Sequence, residues 1–194
     1  MTIIIKDEFL GDFDAVRDRV LAEGNFEPHQ FGGHTYEGVS LVPVLDDSVR
    51  HLIEDAVGAS IYLAGAFWRR AGEGDPNPTL IHTDNAAETH AFVLYMSDPV
   101  SDLDGTAFWR HRATDSYAIP PHPRARAIEL VAAVVPDGND ETRWDMTLLA
   151  RAKSNRFISF PSQYYHSRYP LLCEGYGQDL KNSRLILAGF FSLI

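Results

Sequence analysis

Arg156-Phe157-Ile158-Ser159-Phe160-Pro161-Ser162-Gln163-Tyr164-Tyr165-His166 reads as a short apolar strand, a turn and then a histidine. Aromatic and β-branched residues closed off by proline and serine are a strand signal. The same texture recurs at 61–68, 89–96, 106–110 and 184–193. Between these runs lie turn and loop compositions at 72–78, 97–99 and 120–123, rich in Gly, Pro, Asp and Ser. Short strands at this spacing predict an antiparallel sandwich or jelly roll with helices packed outside.

The N-terminal part has a different period. After a short strand-like start, residues 11–24 place Phe13, Val16, Val20 and Leu21 at helical spacing and end on a glycine. A second amphipathic stretch, about 46–58, carries Val49, Leu52, Ile53 and Val57 on one side. The expectation is one domain over 1–194, with 1–60 as helical support and 61–194 as a mainly β core. Residues 124–135 read two ways, since an Ala-rich start favours helix and a Val-rich end favours strand.

Composition bounds the function. The 194 residues are 45% hydrophobic and 11% aromatic, which suits a packed core and excludes the signature of disorder. A formal charge of −10 disfavours nucleic acid as a partner. The cluster Arg110, His111, Arg112 either guides an anionic substrate or is a solvated strand end. Cys173 is the one cysteine, which excludes intramolecular disulfides and Cys-rich zinc sites and fits a reducing compartment. With no signal peptide and no run of ~20 apolar residues, a cytoplasmic protein without membrane contact is expected.

Ile81-His82-Thr83-Asp84 sets an imidazole and a carboxylate two residues apart, so both project to one side of an extended chain. Two imidazoles and one carboxylate make a mixed nitrogen and oxygen site with open positions, which suits non-haem iron(II). His166 is the candidate for the missing ligand; otherwise it is a histidine bonded inside an aromatic cluster with Tyr164 and Tyr165. Arg184 opens an apolar terminal strand and shares its side with Ile186, Ala188 and Phe190. A guanidinium directed inward is costly unless it meets an anion. That anion is either a bound carboxylate or a protein Asp or Glu.

From about Leu80 to the C-terminus, these features stand in the order found in one superfamily. They are His82-x-Asp84, a strand ending in Tyr95-Met96-Ser97, a turn with Asp104-Gly105-Thr106-Ala107-Phe108, then His166 and Arg184. The chain thus resembles the prolyl-hydroxylase-like branch of the 2-oxoglutarate/iron(II) dioxygenases. The resemblance implies a double-stranded β-helix (a cupin-like jelly roll), Fe(II) held by His82, Asp84 and His166, and 2-oxoglutarate held by Arg184, with Tyr95 placed to supply a hydroxyl to the same carboxylate. It implies an O2-consuming hydroxylase acting on a C–H bond of a small molecule or peptide side chain.

Two departures stand out. Eighteen positions separate His166 from Arg184, more than is usual in the branch, which implies an inserted loop around 172–181. This leaves Arg168, on the side of the metal ligand if that segment is extended, as a rival anchor. The central turn keeps only Asp104-Gly105 of the usual glycine pair. Candidates for a substrate pocket are Trp68, Arg69, Arg70, Asn85, Trp109, Arg110 and Tyr164. The alternatives are a non-catalytic cupin-like metal or small-ligand binding protein, and an interaction domain whose histidines bind no metal. His29, His34, His90, His111 and His122 are read as loop or surface groups.

Overall fold

The computed structural model describes residues 2–31, 34–41, 47–77, 80–84 and 87–194. Asn85, Pro78 and the first residue of the second helical stretch lie outside them. In chain order the elements are β1 (Ile4–Lys6), α1 (Phe13–Glu23), β2 (Glu27–Phe31), β3 (His34–Ser40), α2 (Asp47–Val57), β4 (Ile61–Ala71), β5 (His90–Tyr95), β6 (Gly105–His111), α3 (Arg124–Val134), β7 (Trp144–Arg151), β8 (Phe157–Pro161), β9 (His166–Tyr169) and β10 (Arg184–Leu193). Every pairing is antiparallel. The large sheet runs β1-β8-β5-β10-β4-β3-β2 and the small sheet β7-β6-β9. This is the mainly β jelly roll that the spacing predicts.

Alternation along the strands decides what faces what. On β10, Leu185, Leu187 and Phe191 join Trp68, Phe92, Leu94 and Phe157 in a core beneath the helices. Val16 and Val20 of α1 and Val49 and Ile53 of α2, each pair four apart, close that core from outside. The opposite face of the large sheet presents Ala91, Tyr95, Ile158, Phe160 and Ile186, which meet Phe108 and Ala150 of the small sheet. A side chain buried to this degree is worth roughly 1.5–3 kcal/mol.

The segment that reads two ways is the helix α3. Leu130 and Val134, four apart, are its buried positions, and Val134 packs with Trp109, Trp144 and Tyr165 on the outer face of the small sheet. The two N-terminal helices are accompanied by three strands: β1 pairs with β8, and the β2–β3 hairpin extends the large sheet beyond β4. Among the described residues no helix is long and apolar enough to cross a membrane.

Asp7, just after β1, clamps the start of the chain to β8 by bonding Arg156 through Nε at 2.6 Å and Lys153 at 3.0 Å. The Arg156 hydrogen bond draws the Asp7 carboxyl down to about 2. A depressed folded value means the stabilisation is present above the unfolded value of 3.8 and lost as pH falls towards 2. The carboxylate is 39% exposed, so screening limits its worth to about 1 kcal/mol. Asp7→Asn is therefore expected to lower stability by about that amount at pH 7 and to equal wild type near pH 2 in parallel urea titrations; a difference that persists at low pH would refute the linkage.

Candidate metal centre

His82 and His166 face each other across a backbone bridge. The amide of each donates to the carbonyl of the other, His82 N to His166 O at 3.0 Å and His166 N to His82 O at 2.8 Å. His82 so extends the small sheet by one rung beyond β9. Asp84 is fixed two residues on by its amide, which donates to Ser162 O at 3.0 Å. The three side chains that the sequence singles out are brought together: their ligating atoms all lie within 4.8 Å of one another. Asp84 Oδ2 is 3.4 Å from His166 Nε2, and Asp84 Oδ1 is 3.9 Å from His82 Nε2.

The tautomers are set by the backbone. His82 Nδ1 lies 3.1 Å from Leu80 O and His166 Nδ1 lies 2.9 Å from Tyr164 O. A carbonyl only accepts, so each Nδ1 carries the proton and each Nε2 turns a lone pair towards Asp84. Burial draws both imidazoles down to about 4 and raises Asp84 to about 6. At neutral pH the cluster is two neutral nitrogen donors and one carboxylate, the donor set a divalent first-row metal takes. Fixing the ring orientation through the second nitrogen is the usual support of a ligating histidine.

The triad borders a cavity of about 110 Å³ between the sheets. Arg184 reaches it from the start of β10 and is 6% exposed. Its Nη2 donates to Gly105 O at 3.3 Å, and its Nε stands 3.6 Å from Asp104 Oδ1 without completing a hydrogen bond. Burial opposes the Arg184 charge most strongly, but Asp104, helped by Cys173, Tyr95 and Tyr176, outweighs it and holds the pKa above the ordinary value. Asp104 is itself 1% exposed and accepts a short hydrogen bond from the Tyr176 hydroxyl. Tyr176 comes from the segment between β9 and β10. The shortened Asp104-Gly105 turn is thus the seat of Arg184, and Gly105 is needed there because a Cβ would strike the Ala150 carbonyl.

Arg168 and Arg184 line the same cavity. Arg168 is on β9 opposite Thr106, the same inward side as His166 opposite Phe108. Its guanidinium donates to the Leu171 and Asp75 carbonyls. Tyr95 is fully buried, with its hydroxyl shared between Thr106 Oγ1 at 2.8 Å and Ala150 O at 3.4 Å; burial lifts its pKa to about 12. The ring lies beneath the Arg184 guanidinium at 5.6 Å, while Thr106, not Tyr95, lines the cavity.

Of the substrate-pocket candidates, Arg69 lines the cavity. Trp68 points the other way, into the core under the helices, and Arg70 is held by Gln178 O. Trp109 donates to Ser167 Oγ, and Arg110 is held by Asp115 and Asp145. Arg112 shares Asp145, so the basic cluster is neutralised at the strand end and is not a free anion guide. His111 is a correction of another kind. It is 1% exposed, bonded to Thr114 and Asp137 and packed on Trp144, because its side chain falls on the covered face of β6. The sequence reading missed Phe67 and Asn77 as cavity residues. Phe67 alternates with Arg69 and Ala71 on β4, a period-two signal that was available.

Solved structures similar to this chain in fold include 2-oxoglutarate-dependent enzymes. The non-heme alpha ketoglutarate dependent carbocyclase SnoK from nogalamycin biosynthesis matches over 97% of this chain and 78% of its own at 13% identity, TM-score 0.58. HygX from Streptomyces hygroscopicus, solved with nickel and 2-oxoglutarate bound, matches over 98% and 82% at 16% identity, TM-score 0.54. A 2OG-Fe(II) oxygenase family oxidoreductase from Burkholderia pseudomallei matches over 98% and 85% at 13% identity, TM-score 0.51. The fold is that of the 2-oxoglutarate/iron(II) oxygenases. The chain belongs to the family of unknown function DUF6445, whose model matches residues 75–191. No curated protein matches it.

Proposed function

We propose that the protein is an iron(II)- and 2-oxoglutarate-dependent oxygenase that hydroxylates a C–H bond of a small molecule or peptide side chain. The observation that carries this reading is the convergence of two Nε2 lone pairs and a carboxylate at the edge of a cavity that Arg184 also enters. His82, Asp84 and His166 would hold the metal and leave positions free for the co-substrate and O2. With 2-oxoglutarate and O2, a bound iron would supply the oxidising chemistry needed to attack an unactivated C–H bond. The chain's own part is positioning. Arg184, kept charged by Asp104, meets the far carboxylate of the co-substrate, and the backbone bonds to both Nδ1 atoms keep the imidazoles turned to the metal. The apolar walls of Phe67, Phe160 and Phe190 limit water. The cupin-like binding reading requires no cation on the last strand and leaves Arg184 only its pairing with Asp104.

The test is an anaerobic titration of the metal-loaded protein with 2-oxoglutarate, reading the visible charge-transfer band of a keto-acid chelate. Wild type is expected to show the band, and Arg184→Met to need at least roughly tenfold more 2-oxoglutarate, the loss expected of one charge-assisted bond. Arg168→Met, run in parallel, is expected to change this requirement less. A larger effect from Arg168→Met would move the anchor to Arg168, and a folded, metal-loaded wild type without the band would end the oxygenase reading.

A further inference from the structure

Arg69 and Arg168 are the cavity arginines that the reading above leaves unused, and Arg69 is the one that keeps a buried donor without a partner. It is on β4 opposite Ile186, two rungs along the same face from Arg184. Its Nη2 donates to Asn77 Oδ1 at 3.2 Å, its guanidinium lies over the Tyr36 ring at 5.0 Å, and its Nε is buried without a hydrogen-bond partner. Among the described residues no carboxylate pairs with it. Burial, and then the charges of Arg168 and Arg184, bring it down to about 10, so it remains a cation at neutral pH.

The charges around the cavity can be counted. Among the described residues, Arg69, Arg168 and Arg184 contribute three positive charges, and a divalent metal would add two. Asp84 and Asp104 contribute two negative charges, and 2-oxoglutarate two more. Arg70 and Asp75, 3.8 Å apart, cancel each other at the rim. One positive charge is left over; Arg168 also lacks a carboxylate, but its guanidinium is met by the Leu171 and Asp75 carbonyls, whereas Arg69 keeps a buried Nε without a partner. A buried, uncompensated cation is costly unless a ligand completes it.

We infer that Arg69, oriented by Asn77, binds a carboxylate on the substrate, so that the substrate is a small monocarboxylate whose apolar body lies against Phe67 and Phe190. A single negative charge balances the site, whereas a phosphate monoester dianion would overshoot it. Phe67 and Phe190, with ring centroids 6.5 Å apart, are the apolar surface beside Arg69 on the same sheet face. The assignment rests on the oxygenase reading for its charge count.

The experiment uses wild type, Arg69→Gln and Arg69→Lys, loaded with Fe(II) without oxygen. Calorimetry first gives the 2-oxoglutarate affinity. The saturated complexes are then probed by ligand-observed NMR with matched pairs, phenylacetate against phenylacetamide and N-acetyl amino acids against their amides. The expected result is a preference of at least about tenfold for a carboxylate over its amide, lost in Arg69→Gln, partly recovered in Arg69→Lys, with 2-oxoglutarate affinity kept within about threefold. The melting temperature of metal-free Arg69→Gln is expected to equal or exceed wild type, whereas a structural arginine would lower it. Equal binding of acids and amides, absence of any carboxylate binding, or a preference that survives Arg69→Gln overturns the inference. So does a tenfold loss of 2-oxoglutarate affinity in Arg69→Gln, which would make Arg69 the co-substrate anchor. If wild type fails to bind 2-oxoglutarate, the oxygenase reading falls, and the same pairs on metal-free protein then decide the Arg69 assignment alone.

Discussion

His166→Ala is expected to weaken binding of a divalent metal by on the order of a hundredfold or more, since loss of an outer partner alone commonly costs 10–100-fold and here a ligand itself is removed. Calorimetric titration with Fe(II) under nitrogen measures it. The effect on folding should be smaller. His166 sits between the Phe108 and Phe160 rings, at centroid distances of 6.5 and 4.7 Å, but also borders the cavity, so its removal enlarges a space already present. His111→Ala is the matched control. That imidazole is more deeply buried than His166 but serves Thr114 and Asp137, so its loss is expected to lower the melting temperature and leave metal affinity unchanged. Equal metal affinity in wild type and His166→Ala would remove the triad as a metal site.

Much of this centre was legible because its parts are local. A His-x-Asp pair, a histidine after a strand and an arginine opening an apolar strand can be read without knowing what packs where. The five aromatic and β-branched runs that become β4, β5, β6, β8 and β10 are legible for the same reason. The rest depends on partners far along the chain. β2, Glu-Pro-His-Gln-Phe, has little strand propensity of its own and is a strand because β3 pairs with it, held in turn by Val39 opposite Arg69. β7 contains Met146, Leu148, Leu149 and Ala150, good helix formers, and is an edge strand because β6 supplies its ladder. The buried state of His111 follows from α3 and the following turn covering the small sheet, which a single strand pattern does not reveal. Likewise, no local motif links Asp104 to Tyr176, 72 positions away.

That last contact underlies the second large effect. Asp104→Ala is expected to cost about 3–5 kcal/mol in the absence of co-substrate, because it strands the buried Arg184 charge and leaves the Tyr176 hydroxyl only the long bond to the Asp98 carbonyl. Arg184→Met is also expected to destabilise, by leaving Asp104 buried against Tyr176 alone. The double variant Asp104→Leu/Arg184→Met should lose much less than the sum of the two single losses, since removing both charges of a buried pair avoids the uncompensated ion. Urea denaturation of the four proteins completes the cycle, and additive losses would show that the 3.6 Å pair carries no coupling. Saturating 2-oxoglutarate adds a second axis. A carboxylate arriving at Arg184 replaces the missing counter-charge, so it should stabilise Asp104→Ala more than it stabilises wild type, by the difference in affinity for the folded states. Equal stabilisation of both would separate Arg184 from the co-substrate and leave the Asp104 pair as a purely structural ion pair.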